Sequence, residues 1–210
     1  MSANENAGTR AGTGAGTEVR VGADIILCGV GGQGTILASK LIATAAMERG
    51  IVVKTAETIG MAQRGGSVFS HVRLGDGVAC PLMARGMADL IIAFEPAEAV
   101  RQLPYLKPDG CVVVSTRPVV PVSAMTGGPA YDLDALLGYL RAQVGNLVEI
   151  DADAAAEELG SAKCLNVVLL GAAARAGALG LSCEDLCAAL HRRLPAKLWE
   201  LNERALEYGE

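Results

Sequence analysis

The sequence predicts a three-layer α/β/α, Rossmann-like fold, with a mostly parallel sheet and a helical C-terminal part. Apolar runs that suit strands covered on both faces, among them 25–28, 89–94 and 111–115, alternate with helix-forming segments. A glycine-rich turn connects the first such strand to the first helix, and the residues after 152 are almost entirely helix-forming. This alternation is typical of parallel strands joined by crossover helices.

The first strand ends in the glycine turn around which the chain is organised. Its spacing, Gly29-x-Gly31-x-x-Gly34, fits the dinucleotide-binding fingerprint, and a helix is predicted over 33–49. Backbone N–H groups and the helix dipole at such a turn can bind an anion, and Glu57 is a candidate ribose partner. The spacing equally fits glycines that only allow close packing of strand and helix. The candidate residues of the turn are Gly29, Gly31, Gly32, Gln33 and Gly34.

The remaining elements follow from hydrophobic periodicity and from the positions of Gly and Pro. Residues 60–66 are predicted to form a loop, and 67–74 alternate as a strand. Residues 78–83 are expected to pair back onto that strand through a hairpin at Gly75-Asp76-Gly77. The other predicted elements are a strand at 51–55, a helix at 96–103, a turn at 108–110, a loop at 117–129, a helix at 131–144, a strand at 147–150, and helices at 152–159, 163–178, 182–193 and 197–208.

Composition narrows the class of protein. The chain has 210 residues, a net charge of −5 and only 3% aromatic residues, which argues against nucleic acid as a partner. Residues 1–22, rich in Gly, Ala and Thr, are predicted to be a flexible tail, and 23–210 a single domain. No apolar run reaches transmembrane length and no signal peptide is evident, so we expect no membrane partner and a cytoplasmic location.

Few residues are equipped for catalysis or metal binding. The two histidines belong to no recognisable catalytic motif, and the six cysteines have no C-x-x-C spacing for an iron–sulfur cluster. Cys183, Cys187 and His191 follow one another at helical spacing. Three ligands along one helix do not close a tetrahedron, so we predict no metal site there.

A basic set is the main candidate for binding an anion. Arg64 lies in the 60–66 loop, and His71 and Arg73 share one face of the strand that follows. A guanidinium group can hold a carboxylate or a phosphate through two hydrogen bonds. The pattern leaves open the alternative that these residues form a solvated or ion-paired face of the sheet. The sequence assigns no residue a catalytic role.

Two blocks of sequence carry a family resemblance. GVGGQGTILASKLIATAAMERG (29–50) and ETIGMAQRGGSVFSHVRLGD (57–76) resemble the gamma module of the 2-oxoacid:ferredoxin oxidoreductases. Met61-Ala62-Gln63 before Arg64, and Ser70-His71-Val72-Arg73 after it, are similar to the small (beta) subunit of the indolepyruvate ferredoxin oxidoreductase type. The resemblance runs over 24–210. Ile59 stands where some members of that type carry histidine, so no proton-transfer role is expected there.

The resemblance implies a subunit that is not active alone. The complex would use thiamine diphosphate, Mg, 4Fe-4S clusters and coenzyme A through a large alpha subunit, and it would pass electrons to ferredoxin. It would convert an aryl 2-oxoacid to an aryl-acetyl-CoA, while this chain binds no cofactor by itself and shapes the approach of substrate and coenzyme A. The motif residues expected at the interface with the large subunit are the glycine turn and Met61, Gln63, Arg64, Gly65 and Gly66.

Two alternatives remain at this point. The chain could be a gamma subunit of a pyruvate, 2-oxoglutarate or branched-chain 2-oxoacid enzyme, which would differ in substrate. It could instead be a stand-alone nucleotide-binding protein that uses the glycine turn and Glu57.

Overall fold

The structure is a computed structural model that describes residues 22–58, 65–128 and 130–209. Within those ranges the chain forms a six-stranded sheet with the strand order β2-β3-β1-β4-β5-β6. The strands are β1 (Asp24–Val30), β2 (Val53–Thr58), β3 (Ser67–Leu74), β4 (Ala88–Ala93), β5 (Leu106–Ser115) and β6 (Asn146–Ile150). Apart from Gly22, the predicted tail lies outside the described residues.

The sheet is mixed, with its parallel strands on one side. The pairs β1–β4, β4–β5 and β5–β6 are parallel, while β3 runs antiparallel to both β1 and β2. Ile25 to Cys28 are fully buried in β1, as are Leu90 to Ile92 in β4. The apolar runs therefore form strands covered on both faces, as predicted, because helices pack on each side of the sheet.

The helices complete the two outer layers. On one face α1 and α6 pack against the sheet, with α7 and α8 packed outside them; α2 and α4 cover the other face. The three-layer α/β fold and the helical C-terminal part predicted from sequence are thus confirmed. The helices are α1 (Thr35–Glu48), α2 (Pro96–Gln102), α3 (Val122–Met125), α4 (Leu133–Gln143), α5 (Ala152–Leu159), α6 (Leu165–Arg175), α7 (Cys183–Arg193) and α8 (Trp199–Glu207).

The predicted hairpin at Gly75-Asp76-Gly77 is wrong. Residues 78–83 form no strand, because β3 already has β1 on one side and β2 on the other and so offers no free edge. The segment is held instead by side chains: Lys54 Nζ donates to the Ala79 carbonyl at 3.0 Å, and Arg73 Nη1 donates to the Cys80 carbonyl at 3.2 Å. In the described ranges the antiparallel pairs are β2–β3 and β1–β3.

Two smaller predictions also need correction. The turn expected at 108–110 lies inside β5, where the register with β4 shifts between Ala88 and Leu90. The loop expected at 117–129 contains the one-turn helix α3. Of the helices in the described ranges, none combines the length and the apolar character needed to cross a bilayer.

Candidate functional site

The carboxyl ends of β1 and β4 define the candidate site. These two parallel strands are neighbours at the centre of the sheet, and the helices that follow them, α1 and α2, pack on opposite faces. Such a point, where connections leave in opposite directions, opens a crevice at the carboxyl edge of the sheet. The glycine turn follows β1 at this edge, and Glu95 follows β4.

The glycines of the turn are required by the backbone and by close packing. Gly32 has φ 103° and Gly34 has φ 87°, values that residues other than glycine rarely adopt. A Cβ atom on Gly29 would lie 2.7 Å from Gln33 Oε1 and 2.8 Å from Phe94 Cβ. The packing interpretation of these glycines is therefore supported.

The side chain of Gln33 ties the two central strands together. Its Oε1 accepts a hydrogen bond from Val30 N at 2.7 Å, and its Nε2 donates to the Phe94 carbonyl at 2.9 Å. The amide thus bridges the last residue of β1 and the residue after β4. One backbone N–H beside the turn, that of Val30, is therefore bound by this protein's own side chain.

Glu57 does not stand where a ribose partner is needed. Its strand, β2, is separated from β1 by β3, and Glu57 pairs with Ser70, which pairs in turn with Leu27. Two strand spacings, about 10 Å, therefore separate Glu57 from β1. Its carboxylate accepts a hydrogen bond from Ser39 Oγ of α1 at 3.0 Å, which gives it a local structural role.

The described end of the 60–66 loop contacts the glycine turn. Gly31 N donates to the Gly66 carbonyl at 2.9 Å, and the next residue, Ser67, pairs with Val30. Gly65 has φ 78°, so this position also favours glycine. The described flank of the second motif thus meets the first motif at one edge of the sheet. Ile59, Met61, Gln63 and Arg64 lie outside the described residues.

Arg73 lies at the opposite edge from the glycine turn. It pairs with Asp24 at the start of β1, six residues along β3 from Ser67, and thus about 20 Å from the turn. Its Nε and Nη2 donate to the two Asp24 carboxylate oxygens at 2.7 and 3.0 Å. For Arg73 the ion-paired alternative is therefore the one that the structure supports, because its fork is already occupied.

His71 is a core residue. It is 3% exposed and contacts Phe69 and Tyr105 edge-on, with ring centroids 5.5 and 5.6 Å away. Its Nδ1 is buried and has no hydrogen-bond partner among the residues that the structure describes. Burial, and after it the charge of Arg73, lowers the pKa of His71, so the neutral ring is favoured in the folded protein.

His71 should make the protein less stable as the pH falls. The unfolded chain takes up a proton near the ordinary histidine pKa of about 6.5, whereas the folded chain does so only at lower pH. The contribution of neutral His71 to the free energy of unfolding is therefore fully present above about pH 6.5. Below that pH the free energy of unfolding decreases by up to about 1.4 kcal/mol per pH unit. Urea unfolding at about pH 7.5, 6.5 and 5.5 measures the slope. His71→Phe should flatten it; a slope as steep as that of the unchanged chain would contradict this account.

A buried pair of carboxylates is the feature that sequence reasoning missed. Glu95 and Glu98 are 1% and 3% exposed. Glu95 caps α2 by accepting from Glu98 N at 2.9 Å, and the hydroxyl of Tyr131 donates to it. Glu98 accepts from Ser67 Oγ at 2.6 Å and pairs with Arg101. The sequence pattern that could have identified the pair is Glu95-Pro96-x-Glu98, directly after a buried strand. This pattern predicts a helix start at the carboxyl edge of the sheet.

This pair fixes the start of β3 to α2. The Ser67–Glu98 hydrogen bond lies next to Gly65 and Gly66 in sequence. It therefore anchors the described end of the 60–66 loop. Burial, and after it the hydrogen bond to Glu95, raises the pKa of Tyr131, so its hydroxyl remains a donor at neutral pH. Glycine turn, loop flank and carboxylate pair together form one connected site.

Comparisons with known proteins agree on the family of this chain. A family model described as pyruvate ferredoxin/flavodoxin oxidoreductase matches residues 24–210. The indolepyruvate oxidoreductase subunit IorB of Archaeoglobus fulgidus is 41% identical over 187 residues, covering 89% of this chain and 92% of that protein. The protein of the same name from Methanothermobacter thermautotrophicus is 38% identical, covering 89% of this chain and 95% of that protein.

A solved structure extends the comparison to three dimensions. The gamma subunit of a keto/oxoacid ferredoxin oxidoreductase from Geobacter sulfurreducens superposes with a TM-score of 0.63 at 25% identity, covering 88% of this chain and 94% of that chain. These matches define the class, and the chain belongs to the pyruvate ferredoxin/flavodoxin oxidoreductase family. Within that family it is a small, gamma-type subunit of a 2-oxoacid:ferredoxin oxidoreductase.

Proposed function

We propose that this chain is the small subunit of a thiamine-dependent enzyme that oxidatively decarboxylates aryl 2-oxoacids of the indolepyruvate type. The complex would convert the 2-oxoacid, coenzyme A and oxidised ferredoxin into aryl-acetyl-CoA, CO2 and reduced ferredoxin. The observation that carries the proposal is the meeting of both family motifs at one sheet edge, through the Gly31–Gly66 hydrogen bond. The identity of 41% to a subunit named for indolepyruvate supports the choice of substrate class.

In this proposal the cofactors belong to the partner. Thiamine diphosphate supplies the electron sink for decarboxylation and the iron–sulfur clusters carry the electrons, both on a large alpha subunit. Three of the six cysteines, Cys28, Cys111 and Cys164, are buried, and the sequence has no C-x-x-C spacing for a cluster. A buried thiol in an apolar strand behaves as a small hydrophobic group rather than as a ligand.

The carboxyl edge also offers a surface for such a partner. Ile36, in the first turn of α1 beside the glycine turn, is 44% exposed. Val122 and Met125 of α3, which follows the carboxyl end of β5, are 73% and 70% exposed. Exposed apolar side chains near one edge favour a buried interface in the assembled enzyme. We therefore place the large subunit against this edge, facing the loop that contains Arg64.

Co-expression with the large subunit of the same host should test the function. The two chains should co-purify, and the complex should reduce a viologen dye with indolepyruvate and coenzyme A. The small chain alone should be colourless and inactive, because it supplies neither thiamine nor clusters. A panel of pyruvate, 2-oxoglutarate and branched-chain 2-oxoacids distinguishes the other gamma-subunit functions. Turnover by the isolated chain, or preference for pyruvate, would contradict the proposal.

Arg64 should bind an anionic group of the substrate or of coenzyme A. An arginine beside Gly65 and Gly66 lets a ligand approach the backbone while the guanidinium donates two hydrogen bonds. Arg64→Ala in the assembled complex should raise KM for arylpyruvate or for coenzyme A about tenfold or more, since a lost charge-assisted hydrogen bond costs about 1.5–3 kcal/mol. Arg64→Lys should restore only part of the affinity, because lysine keeps the charge without the fork.

The matched control for Arg64 is Arg85. Arg85 is exposed and precedes β4, so it lies toward the opposite edge of the sheet. Arg85→Ala should leave both KM values unchanged. If Arg64→Ala assembles normally and also leaves both values unchanged, Arg64 does not contact either ligand.

A further inference from the structure

Three potential metal ligands converge between α7 and α8, far along the chain from the proposed site. Cys187 Sγ lies 3.8 Å from His191 Nε2, and His191 Nε2 lies 2.5 Å from Glu203 Oε1. The three ligand atoms all lie within 4.8 Å of one another. The sequence offered Cys183, Cys187 and His191 on a single helix, whereas the structure leaves Cys183 out and adds Glu203 from the next helix.

The packing of the two helices produces this convergence. Cys187 and His191 are four residues apart and therefore share one face of α7, next to the buried Leu186 and Leu190. Glu203 lies on α8 beside the buried Asn202, and α7 and α8 pack against each other. Apolar contacts thus set the spacing between the helices, and the polar ligands face each other at the partly exposed margin of that contact.

Trp199 holds the imidazole in position. Its ring stacks on His191 with centroids 4.2 Å apart and planes at 27°, and its Nε1 donates to the Leu194 carbonyl at 2.9 Å. Glu207 follows Glu203 by one helical turn. Because residues four apart share one helix face, Glu207 lies on the same face of α8 as Glu203.

We propose that Cys187, His191 and Glu203 bind a zinc ion, with Glu207 or a water molecule as the fourth ligand. One thiolate, one imidazole and one or two carboxylates are ligands that zinc accepts in tetrahedral sites. At metal–ligand distances of about 2.0–2.3 Å, neighbouring ligand atoms lie roughly 3.3–3.7 Å apart. The Cys187–His191 distance of 3.8 Å is about 0.1 Å above this range, and the His191–Glu203 distance of 2.5 Å must lengthen by about 1 Å. The Cys187 and Glu203 ligand atoms, which lie within 4.8 Å of each other, must come closer by up to about 1 Å.

The ion would clamp the C-terminal helix onto the domain. α8 contacts α7 and α6, and zinc bound between Cys187 and Glu203 would join α7 to α8 directly. Because an ion that binds only the folded chain stabilises it, zinc should raise the melting temperature. The role assigned to the site is structural and is separate from the oxidoreductase chemistry.

The test uses the full-length chain, treated with chelator and kept reduced. Zinc chloride should raise its melting temperature, and one cobalt(II) per chain should bind with thiolate-to-cobalt absorption. Cobalt should also quench the emission of Trp199, the only tryptophan in the chain. Cys187→Ser and Glu203→Gln should each weaken cobalt binding at least tenfold; Cys187→Ser should also abolish the thiolate absorption.

Cys183→Ser is the matched control, because Cys183 lies one turn earlier on α7 and outside the cluster. It should bind zinc and cobalt as the unchanged chain does. Circular dichroism verifies that each variant is folded before titration. The proposal is overturned if the unchanged chain gives no thiolate–cobalt absorption and no zinc-dependent rise in melting temperature. It is equally overturned if Cys183→Ser loses binding as Cys187→Ser does, or if neither substitution affects it.

Discussion

Gly171→Ala should destabilise the protein by about 2–3 kcal/mol, although the same change in most helices is stabilising. Gly171 lies in α6, and a Cβ atom there would be 2.1 Å from the Leu206 carbonyl oxygen and 2.8 Å from its carbon. Both atoms are backbone, so no rotamer change relieves the clash. α8 must move away from α6, and overpacking of this kind typically costs about 1–3 kcal/mol.

Gly138 provides the opposite case in the same protein. It lies in α4, and a Cβ atom there would meet no heavy atom within 4 Å. Gly138→Ala should therefore stabilise by about 0.5–1 kcal/mol, through helix propensity alone. Urea unfolding of both variants measures the difference. If Gly171→Ala stabilises the protein as Gly138→Ala does, α6 and α8 do not pack backbone to backbone at Gly171.

The layers of the fold could be predicted because they depend on local patterns. A run such as 25–28 predicts a buried strand wherever its neighbours lie, and Ser182 predicts the start of α7, where it caps the helix through Asp185. The hairpin at Gly75-Asp76-Gly77 failed because it required knowing that β2 already occupies the second edge of β3. Strand neighbours are a non-local property, which turn residues alone do not determine.

The residues of the site also differ in whether local sequence patterns predict their roles. The glycine turn could be predicted from spacing, whereas the role of Gln33 depends on Phe94, 61 residues away. His71 and Arg73 were grouped with Arg64 because alternation places the two strand residues on one face. Alternation does not predict that His71 is buried, or that Arg73 is paired with Asp24 at the opposite edge of the sheet. Glu95 was passed over because its partner Tyr131 is also distant in sequence.

Gln33→Ala should cost about 2–4 kcal/mol, because it leaves two groups at the ends of buried strands without partners. Val30 N–H donates to this side chain and the Phe94 carbonyl accepts from it, and their residues are 7% and 0% exposed. Each buried unsatisfied group costs about 1–3 kcal/mol. Gln143→Ala is the control: Gln143 is exposed at the end of α4, and its loss should change stability by less than about 0.5 kcal/mol.

Gln33→Glu separates the two hydrogen bonds of the bridge. The new side chain can still accept from Val30 N, but a carboxylate oxygen would face the Phe94 carbonyl, where the amide Nε2 now lies 2.9 Å away. Repulsion between these oxygens favours the protonated carboxyl in the folded state, so its pKa should rise above the ordinary value of about 4.3. The loss of stability relative to the unchanged chain should therefore be largest at neutral pH and shrink as the pH falls towards about 4.

Comparing the two variants at each pH removes the effect of His71, which both retain. Gln33→Ala should show a loss that does not depend on pH relative to the unchanged chain, whereas Gln33→Glu should recover in acid as its carboxyl regains a proton to donate to Phe94. Denaturant midpoints between about pH 4.5 and 7.5 measure both trends. If Gln33→Ala is as stable as Gln143→Ala, the bridge does not stabilise the fold and this account of Gln33 is wrong.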